Sequence, residues 1–140
     1  MKVFFSGSIR GGRQLISTYE HIINFIKSQG HTVLSEHVAM PKLEKVEEKM
    51  SEEEIFNKDV GWIEDSDCVM ADVTVASVGV GYEVCHALNC GKPVLCVYEV
   101  GAKASAMVLG NTSELIQVKG YSGLGEVEGI VREFLEKVDG

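Results

Sequence analysis

The stretch Ala71-Asp-Val-Thr-Val-Ala-Ser-Val-Gly-Val-Gly-Tyr-Glu83 decides the fold. Ahead of it, the apolar run that starts at Cys68 reads as a buried strand ending at Asp72. A short loop with Ser77, Gly79 and Gly81 follows, and a helix opens whose early turn holds Glu83. Strand, tight loop and helix make one unit of a parallel sheet. In open sheets of that kind, ligands bind beyond the carboxyl ends of the strands. Val80, three residues before Glu83, and Ala87, four after it, put the carboxylate on the inward face of its helix. A carboxylate there is costly unless it is hydrogen-bonded, paired or used in chemistry. Structural carboxylates also occupy first helical turns, where the helix dipole favours them, so position alone leaves both readings open.

The same alternation extends in both directions, with no linker, repeat or low-complexity segment between 1 and 140, a single domain. Strands are expected at 3–6, 32–34, 67–71, 93–98 and about 114–118. Leu15, Ile16, Tyr19, Ile22, Ile23 and Ile26 recur at helical spacing until Gly30. Ser51-Glu-Glu-Glu54 is a capping box for a helix running to about residue 65. Further helices are expected at 80–89, closed by Gly91, and from about 125 to 138. The charged segment 36–50 has no clear period. Such alternation specifies a three-layer α/β domain with a five-stranded parallel sheet. The flavodoxin-like, Rossmann-like order 2-1-3-4-5 is the expected one, with its switch point between the first and third strands. The loops leaving those two strands, at 7–12 and 72–81, are the two most conspicuous glycine-bearing loops of the chain.

Bulk composition narrows the function. The 140 residues are 45% hydrophobic and 24% charged, as in ordinary globular domains. A net charge of −8 argues against binding nucleic acid or an anionic membrane. It leaves room for a small phosphorylated ligand, because a few local donors hold one phosphate. Cys68 and Cys96 fall in apolar strand runs, and Cys85 and Cys90 in one helix or at its end. This is the pattern of reduced thiols in a cytoplasmic protein. Cys85, His86 and Cys90 match no zinc spacing, so no metal is expected. No apolar run approaches the roughly 18 residues of a membrane span, and the N-terminus turns polar at Ser6, as a strand does and a signal peptide does not.

Two further motifs point to the same end of the sheet. Ser6-Gly-Ser-Ile-Arg-Gly-Gly-Arg13 supplies backbone donors, hydroxyls and guanidinium groups before a helix, as an anion site requires. It is neither a Walker A loop nor a G-x-G-x-x-G fingerprint. In the 51–65 helix, Ile55, Asp59 and Ile63 stand at i, i+4 and i+8, which puts Asp59 inside the apolar stripe. Asp59 beside Glu83 would form the carboxylate pair used to cleave glycosidic bonds, whereas alone it would be a structural hydrogen-bond partner. Glu52, Glu53 and Glu54 suit a solvated first turn. Of the histidines, His21 and His31 read as surface residues and His86 as structural. His37, after the second strand, is placed to meet a ligand.

These residues together resemble the 2′-deoxynucleoside 5′-phosphate N-hydrolases, relatives of the nucleoside 2-deoxyribosyltransferases. The landmarks are Gly-Ser-Ile-Arg-Gly-Gly (7–12), Glu-His-Val-Ala (36–39), and Asp59 with Trp62 and Asp67. Val-Thr-x-x-Ser-x-Gly-Val-Gly-Tyr-Glu (73–83), Gly-Lys-Pro-Val-Leu-Cys (91–96) and Ser-Ala-Met (105–107) complete them. The resemblance implies that Glu83 is the nucleophile at the anomeric carbon of a nucleoside 5′-monophosphate and Asp59 its catalytic partner. It implies that Gly7, Ser8, Ile9, Arg10, Gly11 and Gly12, with Ser77 and Gly79, hold the 5′-phosphate, and that Tyr19 and His37 line the substrate. Ser105, Ala106 and Met107 would reach the other subunit's site, making a homodimer with composite active sites and no cofactor. Phe4 departs from the pattern, since deoxy-specific members carry Tyr there and relatives acting on ribonucleotides carry Phe. Sugar preference therefore stays open, as do a deoxyribosyltransferase reaction and a non-catalytic nucleotide-binding role.

Overall fold

The computed structural model describes residues 1–8, 15–39 and 47–140, with only the backbone of His37. Its elements are β1 (Lys2–Ser6), α1 (Ile16–Ser28), β2 (Thr32–Val33), a 3₁₀ turn (Glu36–Ala39) and α2 (Glu52–Asp65). Then follow β3 (Cys68–Asp72), α3 (Val78–Asn89), β4 (Val94–Glu99), α4 (Ala106–Leu109), β5 (Ile116–Tyr121) and α5 (Leu124–Asp139). All strand pairs are parallel and the sheet order is β2-β1-β3-β4-β5, as the alternation predicts.

The period of two along the strands divides the core into two layers. Val3 and Phe5 of β1, Met70 of β3 and Leu95 of β4 pack with Ile22 and Ile26 of α1 and with Val131 and Phe134 of α5. Phe4, Val69, Ala71, Val94 and Cys96 face the other way, onto Ile63 of α2 and Val84 and Ala87 of α3. Covered on both faces, β3 is buried at every position, which is why its sequence reads as a continuous apolar run. Each fully buried large aliphatic or aromatic side chain contributes about 1.5–3 kcal/mol relative to exposure.

Local signals set the helix ends. Gly30, at φ +88°, follows α1 in a backbone conformation that glycine adopts without strain. Ser51 Oγ accepts from Glu54 N–H, and Glu54 Oε1 accepts from Ser51 N–H, both at 3.0 Å, closing the capping box of α2. Two expectations shift. The third helix starts at Val78 and not at residue 80, because Ser77 caps it. The fifth strand runs from Ile116 to Tyr121 and not over 114–118. Gly120 in it lets Tyr98 and Val100 pack close, since a Cβ there would lie 3.2 Å from the side chains of both. The short α4 has too few residues to show a period. Among the described residues, no helix is long and apolar enough to cross a membrane.

Candidate active site

At the switch point the chain leaves β1 and β3 in opposite directions, and a cleft of about 540 Å³ opens above their carboxyl ends. Its walls include Gly7 after β1, Ile55 and Asp59 of α2, Ser77 and Gly79 at the head of α3, and Glu83. A smaller recess at its floor joins Phe4, Ser6, Asp59 and Glu83. The two carboxylates come from different helices, and packing of α2 against α3 on one face of the sheet brings them together.

Glu83 is held from below. Ser6, the last residue of β1 and 1% exposed, donates its hydroxyl to Glu83 Oε1 at 2.7 Å. Burial pushes the Glu83 carboxyl up to about 8; the Ser6 bond opposes that rise, and Asp59 and Glu47 add to it. Asp59 is also raised by burial, against the pull of Lys58, whose Nζ is 4.0 Å from Oδ1. Asp59 Oδ1 is buried and meets no protein donor among the described residues. Two neighbouring buried carboxyl groups cannot both ionise readily, so a negative charge on one holds a proton on the other. An acid and a carboxylate side by side can protonate a leaving group and attack a carbon.

The loop into α3 is braced at both ends. Asp72 is fully buried; its Oδ1 accepts from Thr74 N–H at 2.9 Å and its Oδ2 from the Tyr121 hydroxyl at 2.8 Å. Burial raises its carboxyl, and burial beside Asp72 also raises the Tyr121 phenol. Ser77 Oγ accepts from Val80 N–H at 3.3 Å and caps α3, leaving free helix-terminal N–H groups directed at the cleft, a favourable place for an anion.

Tyr19 stands apart from its expected place. It is fully buried beneath the turn after β1, its hydroxyl accepting from Ser8 N–H at 3.0 Å and its ring 2.8 Å from where a Gly7 Cβ would be. It shapes the turn from behind. Gly7 is a glycine because that ring leaves no space for a side chain. Ser8 is buried in the same turn, while Ile9, Arg10, Gly11 and Gly12 lie outside the described residues. His37 sits in the 3₁₀ turn Glu36–Ala39, and its side chain is likewise outside the description. Phe4 is 2% exposed, packed on Ile63 and Val84, with one edge at the recess below Glu83. Ser105 and Met107 do not reach the Glu83 cleft of their own chain. They line a separate depression of about 390 Å³ across the head of α3. Ala106, between them, is the first residue of α4, which Ser105 caps.

Two site residues have no counterpart in the sequence expectations. Ser6 was legible only as part of the anion turn, yet the strand period places it on the face of Phe4, towards α3. Glu47 is 4% exposed, lines the cleft and lies 3.5 Å from Lys58 Nζ; it belongs to a charged segment with no period to reveal it. At the C-terminal ends of α2 and α3, Glu64, His86 and Cys90 bring ligand-type atoms within 4.8 Å of one another, without Cys85. His86 Nε2 is 3.4 Å from Glu64 Oε2, an ordinary partner for a histidine in the last turn of a helix.

Comparisons with known proteins place the chain in a family. Residues 3–133 match the family described as nucleoside 2-deoxyribosyltransferase. A protein of Methanosarcina barkeri, provisionally named 2′-deoxynucleoside 5′-phosphate N-hydrolase 1, is 49% identical over 134 residues, covering 96% of this chain and 84% of its own. The 5-hydroxymethyl-dUMP N-hydrolase of Danio rerio is 40% identical over 140 residues, covering 97% of this chain and 96% of its own. The solved structure of the Clostridium botulinum CMP N-glycosidase BcmB shares the fold with a TM-score of 0.69 at 18% identity, over 94% of this chain and 99% of that one. The chain therefore belongs to the nucleoside 2-deoxyribosyltransferase family, in which it stands with the 2′-deoxynucleoside 5′-phosphate N-hydrolases.

Proposed function

We propose that this domain hydrolyses the N-glycosidic bond of (2′-deoxy)nucleoside 5′-monophosphates, yielding free base and (deoxy)ribose 5-phosphate. The observation that carries the reading is the convergence of Glu83 and Asp59 on one cleft, headed by the Ser77-capped end of α3. The names of relatives at 40% and 49% identity support the same chemistry. The phosphate binds the turn at 7–12 together with Ser77 and Gly79, and that remote contact sets the anomeric carbon against Glu83. Glu83 attacks as the C–N bond breaks through an oxocarbenium-like transition state, and Asp59 gives its proton to the departing base. Asp59 then takes a proton from water as that water displaces Glu83 from the sugar. Every group named belongs to the protein, the substrate or water.

The active unit is a homodimer with composite sites. Val78 is 93% exposed and Met107 84%, with Tyr82 and Leu109 also open on the face of α3 and α4. Large apolar side chains grouped in this way mark an interaction surface. Ser105, Ala106 and Met107 on this face reach the neighbouring subunit's cleft. The free thiols Cys68, Cys85, Cys90 and Cys96 suit the cytoplasm.

A second reading concerns the sugar. Phe4 offers no hydroxyl at the recess below Glu83, which favours acceptance of ribonucleotides beside the deoxy forms. The deciding experiment is chromatography of the products from ribo- and deoxyribonucleoside monophosphates and from the matching nucleosides. Base release from the monophosphates, far slower from nucleosides, is the expected result. Binding without base release would make the domain a nucleotide-binding module. Equal rates with nucleosides, rising when a second base is added, would make it a transferase.

A further inference from the structure

Ser6 takes no part in the proposed reaction, yet its hydroxyl donates at 2.7 Å to Glu83, the group that reaction depends on. Two features make it more than a polite neighbour of Glu83. It belongs to the sheet, paired in register with Ala71 of β3, so its backbone cannot follow a moving helix. It is also 1% exposed, and its 2.7 Å bond to Glu83 Oε1 is made away from water. A hydroxyl gains more by donating to a carboxylate than by accepting from a neutral acid, so this contact favours ionised Glu83. It also occupies Oε1 and leaves Oε2 as the oxygen available for attack.

The other charged groups facing Glu83 among the described residues act differently. Asp59 of α2 and Glu47 ahead of α2 are acidic and drive a proton onto Glu83. Lys58 of α2 lies by Asp59 and Glu47, at 4.0 and 3.5 Å, and favours ionisation of Asp59, which again leaves the proton to Glu83. Ser6 is the described group that pulls the other way. We propose that Ser6 is the positioning residue of the site: its hydroxyl tips the proton shared by the two carboxyl groups from Glu83 towards Asp59 and fixes which Glu83 oxygen attacks. This rests on the proposed reaction for its catalytic consequence, but the placement of the proton is measurable without turnover.

The test is a ¹³C NMR titration of the side-chain carboxyl carbons of Glu83 and Asp59 in the full-length protein, assigned with Glu83→Gln and Asp59→Asn. Wild type, Ser6→Ala and the near-isosteric Ser6→Cys, a weaker donor, are compared. Ser6→Ala should raise the Glu83 midpoint by about one pH unit, a tenfold change in proton affinity, and lower that of Asp59. Ser6→Cys should fall between. In turnover, kcat should drop about tenfold, by the same tenfold change in population, while KM for the nucleotide holds, since the phosphate contacts are untouched. An unmoved Glu83 midpoint in folded Ser6→Ala and Ser6→Cys overturns the proposal, whatever happens to activity. If the wild type releases no base from any nucleotide but the midpoint still moves, the proposed reaction falls and the Ser6–Glu83 coupling stands.

Discussion

Glu83 is buried at the expense of stability. In the folded chain its carboxyl is pushed up to about 8, against an ordinary 4.5. Between those values the folded state binds more protons than the unfolded one, so stability falls as pH rises through that window. Glu83→Gln should therefore raise Tm, by more near pH ~9 than near pH ~5, with a gain of at most a few kcal/mol. The same variant should keep less than about a tenth of wild-type kcat/KM, a barrier increase above ~1.4 kcal/mol. Thermal melts and base-release assays on one preparation check both. Loss of activity together with loss of stability would mark Glu83 as structural. Phe4 is tested by ratio. Phe4→Tyr puts a hydroxyl at the recess floor beside Glu83 and should shift kcat/KM towards deoxyribonucleotides by ~1–3 kcal/mol, about 10–200-fold. If Phe4 serves only the α2–α3 core, the variant loses stability and the ratio stays put.

Two elements carry the site, and each has a test of its own. At the head of α3, Ser77 caps the helix, and the proposed reaction also gives it the phosphate. Aspartate caps a helix as well as serine does, but its charge repels a phosphate. Ser77→Asp should keep the melting temperature and raise KM for nucleoside monophosphates at least tenfold, ~1.4 kcal/mol. Ser77→Ala should instead cost about 0.5–2 kcal/mol of stability. An unchanged KM in Ser77→Asp would move the phosphate away from α3. The loop that leads there hangs on the buried bond from Tyr121 of β5 to Asp72 of β3. Tyr121→Phe leaves Asp72 Oδ2 without that donor and should lower stability in urea melts by about 1–3 kcal/mol. A loss of nucleotide affinity alongside would show the brace reaching the cleft.

The whole molecule is tested by mixing copies. Ser105 and Met107 line a depression beside the Glu83 cleft and are not among the residues that line the cleft itself. If they serve a partner's, inactive Glu83→Gln and Ser105→Ala variants should regain activity when their subunits exchange. Each mixed dimer then holds one site built from two unaltered contributions. Subunit exchange is followed independently by native mass spectrometry, after Ser105→Ala alone is shown to lose most of its activity. Confirmed exchange with no regain would make each cleft self-contained.

The order of elements was legible because each obeys a local rule. Short apolar runs gave the strands, the period near 3.6 gave α1 and α2, and Ser51 and Gly30 marked ends. Parallel topology followed from alternation, and from it the switch point and the two loops that flank the cleft. Asp59 and Glu83 were visible singly, as charges on apolar stripes, because a stripe is a property of one helix. Their meeting was implied only by the family resemblance and not by either stripe, since it depends on α2 and α3 packing on the same face of the sheet. From spacing Tyr19 was only one residue of a helical stripe, and its place against Gly7 and Ser8 came from the tertiary structure. The close packing of Tyr98 and Val100 at Gly120 had no signal in the sequence. Ser6 carried no signal as a partner of Glu83, seventy-seven residues away along the chain. Local periodicity thus determined which elements form and which faces they bury. Proximity between residues remote in sequence, and with it the desolvation that raises Glu83 and the hydroxyl that opposes it, came only from tertiary packing.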